Sequence, residues 1–240
     1  MTARFLALLL AAAGFAMAAP SRPSLPEVED LVVAGTNRFR QSQSLTVLRP
    51  NPELEKAARG FAEYMARTGE FEHTAGGTTP ATRAKAAGYD YCHIAENIAY
   101  HFSSAGFTTS DLARRLVEGW KNSPGHRRNM LEADALETGV GIAYRRHNGV
   151  EKFYSVQLFG RPQSQSVRFD VRNRGTGIVT YRLGEREYEL GPRYSRTHTA
   201  CAPLPLHFES PREATFTPAR NDCYVVSPRG EITHAPGGCA

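Results

Sequence analysis

The chain has 240 residues, a formal net charge of +5, 41% hydrophobic residues and four cysteines, which suits one good-sized domain plus a small one, with enough apolar content to bury a core. The charge excess is thin and spread out: residues 27–162 hold 17 basic and 16 acidic side chains, and residues 163–240 hold 10 and 8. With no basic tract and no aromatics interleaved with one, nucleic-acid binding is not expected.

The N-terminus, MTARFLALLLAAAGFAMAAP, has Arg4, an apolar run from Phe5 to Ala13 and small residues before Ala19, the pattern of a signal peptide over residues 1–19. No later stretch is apolar for long enough to span a bilayer, so an integral membrane protein is not expected. In an exported chain, Cys92, Cys201, Cys223 and Cys239 are expected to form disulfides, since no close Cys-x-x-Cys pair suggests a metal. Three pairings are possible. Cys201 with Cys223 is the expected bridge inside a C-terminal module, leaving Cys92 for Cys239, while Cys223 with Cys239 is also short in sequence and would leave Cys92 for Cys201.

From Pro26, the residues Val28, Leu31, Val32, Gly35 and Phe39 follow a helical stripe, and from Pro52 a second runs through Leu54, Ala58, Phe61, Ala62 and Met65. Asn51-Pro52 starts this second helix and Gly69 ends it. Thr79-Pro80 to Gly88 predicts a short third helix, and Ser110 opens a fourth through Leu116 and Trp120. In NSPGHRRNML, Ser123 is the N-cap candidate, Pro124 the first helical residue and His126 the third. The positive end of a helix disfavours imidazolium, so His126 is expected to be neutral. Two β-rich runs follow around Asn148-Gly149, a hairpin signal. Gly139 and Gly141 lie within the first run and open no helix, which points to close backbone packing rather than a phosphate loop. Beyond a QSQS linker, short alternating runs such as VRFDV, VTYRL and CYVV predict a small all-β, sandwich-like module over residues 166–240.

No serine-hydrolase, zinc-protease or cysteine-nucleophile signature is present. What remains is a dispersed set of His73 in EFEH, Glu96 in AENIAY and His126 in SPGH, a plausible zinc or proton-transfer group if the fold assembles it. Taken singly, Glu96 reads as a loop carboxylate accepting backbone N–H bonds, His73 as a helix-end histidine and Trp120 as core. His93 and His101 lie in a polar stretch and are expected to be exposed.

The order and spacing of NRFR, NPELEKAARGFAEYMA, FEH, AENIAY, GWKNSPGHRRNML and GVGIAY resemble the CAP superfamily of cysteine-rich secretory, antigen 5 and pathogenesis-related 1 proteins, in its bacterial-type branch, over roughly residues 27–162. The resemblance implies an α+β fold, an α-β-α sandwich whose cleft holds His73, Glu96 and His126, with a divalent metal, often zinc, on such histidines. It also implies a second acidic residue about three positions past the tryptophan, where this chain has Ser123. Glu118 lies about 140° around the helix from that position and is a poor substitute. A secreted binding module for a lipid, sterol or peptide is the leading implication, with Glu96 as the catalytic candidate of a metal-assisted hydrolase as the alternative. A third reading gives the C-terminal module a cell-envelope ligand, received by Tyr181, Tyr188, Tyr194 and Tyr224.

Overall fold

The computed structural model describes residues 22–239, so the expected signal peptide lies outside the described residues. Helix α1 (Leu25–Ser42) is followed by the short strand β1 (Arg49–Pro50) and helix α2 (Pro52–Thr68). The sequence signals for α2 act as read: Asn51 accepts hydrogen bonds from the N–H groups of Glu53 and Leu54, and Gly69 closes the helix at a φ of 83°. Helix α3 (Pro80–Ala87) starts from a capping box between Thr79 and Thr82. Next come strand β2 (Tyr91–Ser103), helix α4 (Thr109–Lys121), capped by Thr108 rather than opened by Ser110, and helix α5 (Pro124–Met130). The hairpin of β3 (Glu137–His147) and β4 (Val150–Pro162) completes a sheet of order β1-β3-β4-β2.

The sheet is the middle layer of an α-β-α sandwich. One face, with Val140, Ile142, Phe153 and Phe159, packs on α1 and α4 through Val28, Val32, Leu112, Leu116 and Trp120. The other face, with Ile98, Val156 and Leu158, packs on α2 and α3 through Leu54, Ala58, Phe61, Met65 and Ala84. The alternation of strand side chains assigns these faces. Gly139 and Gly141 seat α2 on β3. A Cβ on Gly139 would fall inside the backbone of Leu54 and Glu55, and one on Gly141 inside that of Ala58 and Arg59. These glycines therefore provide close packing, as their strand context indicated.

The C-terminal part forms two four-stranded sheets around one core of Val171, Tyr181, Leu206, Phe208 and Tyr224. Strand β5 (Val167–Asn173) and the strand Cys223–Val226 lie in one sheet, and β6 (Val179–Leu183) and the strand Leu206–Ser210 in the other. Tyr181 and Tyr224 are fully buried, so they are core residues and cannot belong to a ligand-binding tyrosine surface. Tyr194 alone of the four named tyrosines is largely exposed, at 69%.

The disulfides correct the favoured pairing. They join Cys92 to Cys201 and Cys223 to Cys239, with Cα–Cα distances of 5.3 and 5.2 Å. Cys201 follows a strand in the sheet that contains β5, and folding brings it against the start of β2. Placement beside β-rich runs of one module, which favoured Cys201 with Cys223, is overridden by this contact between the two parts of the molecule, and Cys223 closes a shorter loop with Cys239 instead.

Candidate functional site

The site is built on the outer edge of β2, where both helical layers meet. Glu96 lies within this strand, not in a loop as its neighbour Asn97 suggested. An edge strand leaves backbone groups unpaired, and here α4 and α5 supply the missing donors. Trp120 Nε1–H donates to the Ile98 carbonyl at 3.2 Å, and Asn129 Nδ2 to the Glu96 carbonyl at 3.0 Å. Trp120 is 2% exposed and is therefore core, as expected.

The Glu96 side chain is 1% exposed, and both carboxylate oxygens are held. His73 Nδ1 lies 2.8 Å from Oε1, and an Arg83 Nη2–H donates to Oε2 at 2.6 Å. A buried carboxylate requires such compensation, since an unpaired charge in this setting would be strongly destabilising. Arg83 stands one turn into α3, so the Thr79 capping box fixes its position. Its guanidinium lies 3.4 Å from the Phe61 ring centroid and also donates to the His73 carbonyl at 3.2 Å and Thr78 Oγ1 at 2.9 Å. One cation thus ties the loop carrying His73 to the strand carrying Glu96. Sequence reasoning missed Arg83, whose only signal was a basic residue following a helix cap, the commonest surface pattern.

His126 is delivered from the other helical layer. Ser123 starts α5 without a side-chain cap bond, and Pro124 takes the first helical position. Asn97 Nδ2 donates to the His126 carbonyl at 3.1 Å, while Asn129 Nδ2 reaches Asn97 Oδ1 at 2.9 Å. These bonds pin α5 beside Glu96. The His126 imidazole is held below its usual range, first by burial and then by the charge of His73 nearby. The neutral form expected from the helix end is therefore favoured, through desolvation and a neighbouring histidine.

His93 and His101 depart from expectation. Both are partly buried, and His101 packs edge-on against Phe107 with centroids 6.3 Å apart. Burial, followed by the charge of Arg115, lowers its imidazole below the usual range. A polar-looking strand can bury alternate residues, which local sequence polarity does not reveal.

His73, Glu96 and His126 therefore gather at one place, but their arrangement does not fit a zinc ion. Zinc takes deprotonated donors with free lone pairs. Here the Glu96 side chain is 1% exposed, with His73 against one oxygen and a guanidinium against the other, and Ser123 replaces the acidic residue that the resemblance implies. Only the remaining imidazole edges of His73 and His126 are left. Among the described residues, no group of three His, Cys, Asp or Glu is arranged to hold a metal ion.

Part of the chain is similar to known proteins. Over 126 residues the chain is 36% identical to YkwD of Bacillus subtilis (strain 168), covering 51% of this chain and 44% of that protein. It is 30% identical over 108 residues to the membrane protein YlbC of the same organism, covering 45% of this chain and 29% of YlbC. The chain thus spans less than half the length of these two curated relatives. Among solved structures, an extracellular protein with an SCP domain from Bacillus anthracis is 27% identical, with a TM-score of 0.47, covering 57% of this chain and 41% of that one. An outer surface protein from Borrelia burgdorferi is 22% identical, with a TM-score of 0.48, covering 60% of this chain and 98% of that one. Residues 33–159 match the CAP family, described as the cysteine-rich secretory protein family, and through this domain the chain belongs to that family.

Proposed function

We propose that this CAP-domain protein is an exported binding module whose His73–Glu96–His126 cleft works without a resident metal. The observation that carries the reading is the closure of Glu96 by Arg83 and His73. A carboxylate that orients water on a metal must be reachable by that water, and this side chain is 1% exposed, with His73 on one oxygen and the Arg83 guanidinium on the other. The Arg83 guanidinium supplies the positive charge beside Glu96 that a metal would supply elsewhere. The cleft then offers two imidazole edges on a rigid base, suited to hydrogen-bonding a ligand rather than cleaving it. The two disulfides support export, since such bridges persist in oxidising compartments. Among the described residues, no helix is long and apolar enough to cross a membrane.

The test is zinc calorimetry at pH 7.5 on the purified chain, beside a casein hydrolysis assay with and without added zinc. The expected result is no saturable one-to-one zinc binding and no hydrolysis above that of Glu96→Gln. One-to-one binding abolished in the His73→Ala, His126→Ala double variant, or hydrolysis lost specifically with Glu96, would overturn the proposal.

A further inference from the structure

The β3–β4 hairpin and the end of β2 run on past the point where α2 stops at Thr68, leaving one sheet face without a helix over it. Strand register sets two rows across this face. Ala143, Tyr154 and Tyr100 form one row, and Arg145, Lys152 and Phe102 the next. With Gly69, Phe71 and His147, residues from both rows line a concavity of about 460 Å³, a size typical of small-ligand sites. Its floor and wall are aromatic. The ring centroids of Tyr100 and Tyr154 are 5.0 Å apart, and those of Phe71 and Tyr100 5.9 Å.

Three of the lining residues are basic and none is acidic. Arg145 and Lys152 sit directly opposite each other on adjacent strands, an arrangement that is destabilising for like charges. Two carboxylates adjacent in sequence to lining residues are engaged elsewhere: Glu151 with Arg22, and Glu70 with the Tyr64 hydroxyl and the Gly76 N–H. Arg145 donates to the Arg67 carbonyl at 3.1 Å, and the Lys152 ammonium lies 5.9 Å from the Tyr100 ring centroid. Both cations are thereby held near the concavity, without an acidic partner among the described residues. Phe71 remains 45% exposed and Phe102 63% exposed at its margin.

We infer that this concavity binds a carboxylate-bearing sugar ring, that is, an acidic saccharide. The aromatic wall offers flat apolar surface for one face of a pyranose. The tyrosine hydroxyls reach its hydroxyl groups, and Arg145 and Lys152 take its carboxylate in charge-assisted hydrogen bonds. A divalent cation is repelled by the same charges. A bilayer surface calls for a protruding apolar face, whereas this one is recessed. Glu96 lies four residues before Tyr100 on the same face of β2, about 13 Å along the strand. The inference includes none of the three cleft residues and stands independently of how that cleft works.

The experiment titrates the full chain with N-acetylmuramic acid, glucuronic acid and trigalacturonate, followed by NMR shifts and tyrosine fluorescence. Neutral N-acetylglucosamine and maltotriose, and vesicles containing anionic phospholipid, run in parallel. At least one acidic saccharide is expected to bind at least tenfold more tightly than the neutral sugars and to weaken as salt is raised. Lys152→Gln and Phe71→Ala should each reduce that affinity at least tenfold. Arg145→Gln should do the same while leaving thermal stability equal to or above that of the wild type, because it relieves a like-charge pair. Binding of no acidic saccharide, equal binding of neutral sugars, binding to vesicles alone, or affinity unchanged in Lys152→Gln would each overturn the assignment. Loss of binding accompanied by unfolding in all three variants would mean that these residues are structural.

Discussion

Replacing Glu96 by Gln removes one negative charge with almost no change of shape, and so tests whether the Arg83–Glu96–His73 unit holds the site together. The Glu96 side chain is 1% exposed and that of Arg83 10%, so the substitution leaves a guanidinium in a poorly solvated place without its carboxylate. Breaking a buried pair in this way costs about 3–5 kcal/mol. Arg83 retains its bonds to the His73 carbonyl and Thr78 Oγ1 and its position over Phe61, which places the expected loss near about 3 kcal/mol. The His73 side chain is 49% exposed and adds little. For a chain of this size the corresponding fall in Tm is about 6–12 °C. Urea unfolding followed by fluorescence is the natural assay, because the single tryptophan, Trp120, is buried in the same domain. Arg83→Met alone should cost a similar amount, and the double variant should lose less than the sum of the two by at least about 1.5 kcal/mol, the worth of a charge-assisted hydrogen bond. A Glu96→Gln protein within about 0.5 kcal/mol of wild type, or strict additivity in the cycle, would refute the reasoning.

Gly141→Ala should destabilise by about 1–3 kcal/mol or more, since its Cβ meets the backbone of Ala58 and Arg59. Gly60→Ala, in α2 with nothing near its Cβ, should instead stabilise by about 0.5–1 kcal/mol. Paired chemical denaturation curves check both. In the C-terminal module, His198 accepts or donates a 2.8 Å hydrogen bond with the Tyr181 hydroxyl and is 6% exposed. Burial, with a smaller contribution from Arg196, holds its imidazole down at about 4. A folded value below the unfolded 6.5 means that the unfolded chain binds the extra proton, so this stability is full above pH 6.5 and is lost as pH falls towards 4. Urea midpoints at pH 7 and pH 4.5 should differ more in the wild type than in His198→Gln, and equal pH dependence in the two would count against the account.

Much of the architecture was legible in order along the chain. Helix α2 announces itself through Asn51-Pro52, its apolar stripe and Gly69, because caps and periodicity act within a few residues. The NRFR block and those around Glu96 and His126 were likewise enough to indicate the family, the sandwich and the three side chains that meet at the edge of β2. Pairings between distant residues were decided only by the tertiary structure. Cys92 found Cys201 across 109 residues, Tyr181 and Tyr224 turned inward to fill a core, and His101 was partly buried on a strand that looked polar. The same holds for the chemistry of the site. The sequence offers Glu96 as a loop carboxylate accepting backbone N–H bonds or as part of a zinc or proton-transfer group, but packing places Arg83, from helix α3, on one of its oxygens and His73 on the other. Whether a buried charge is available to a ligand depends on which neighbour neutralises it, and that neighbour is chosen by packing over distances that local sequence patterns do not encode.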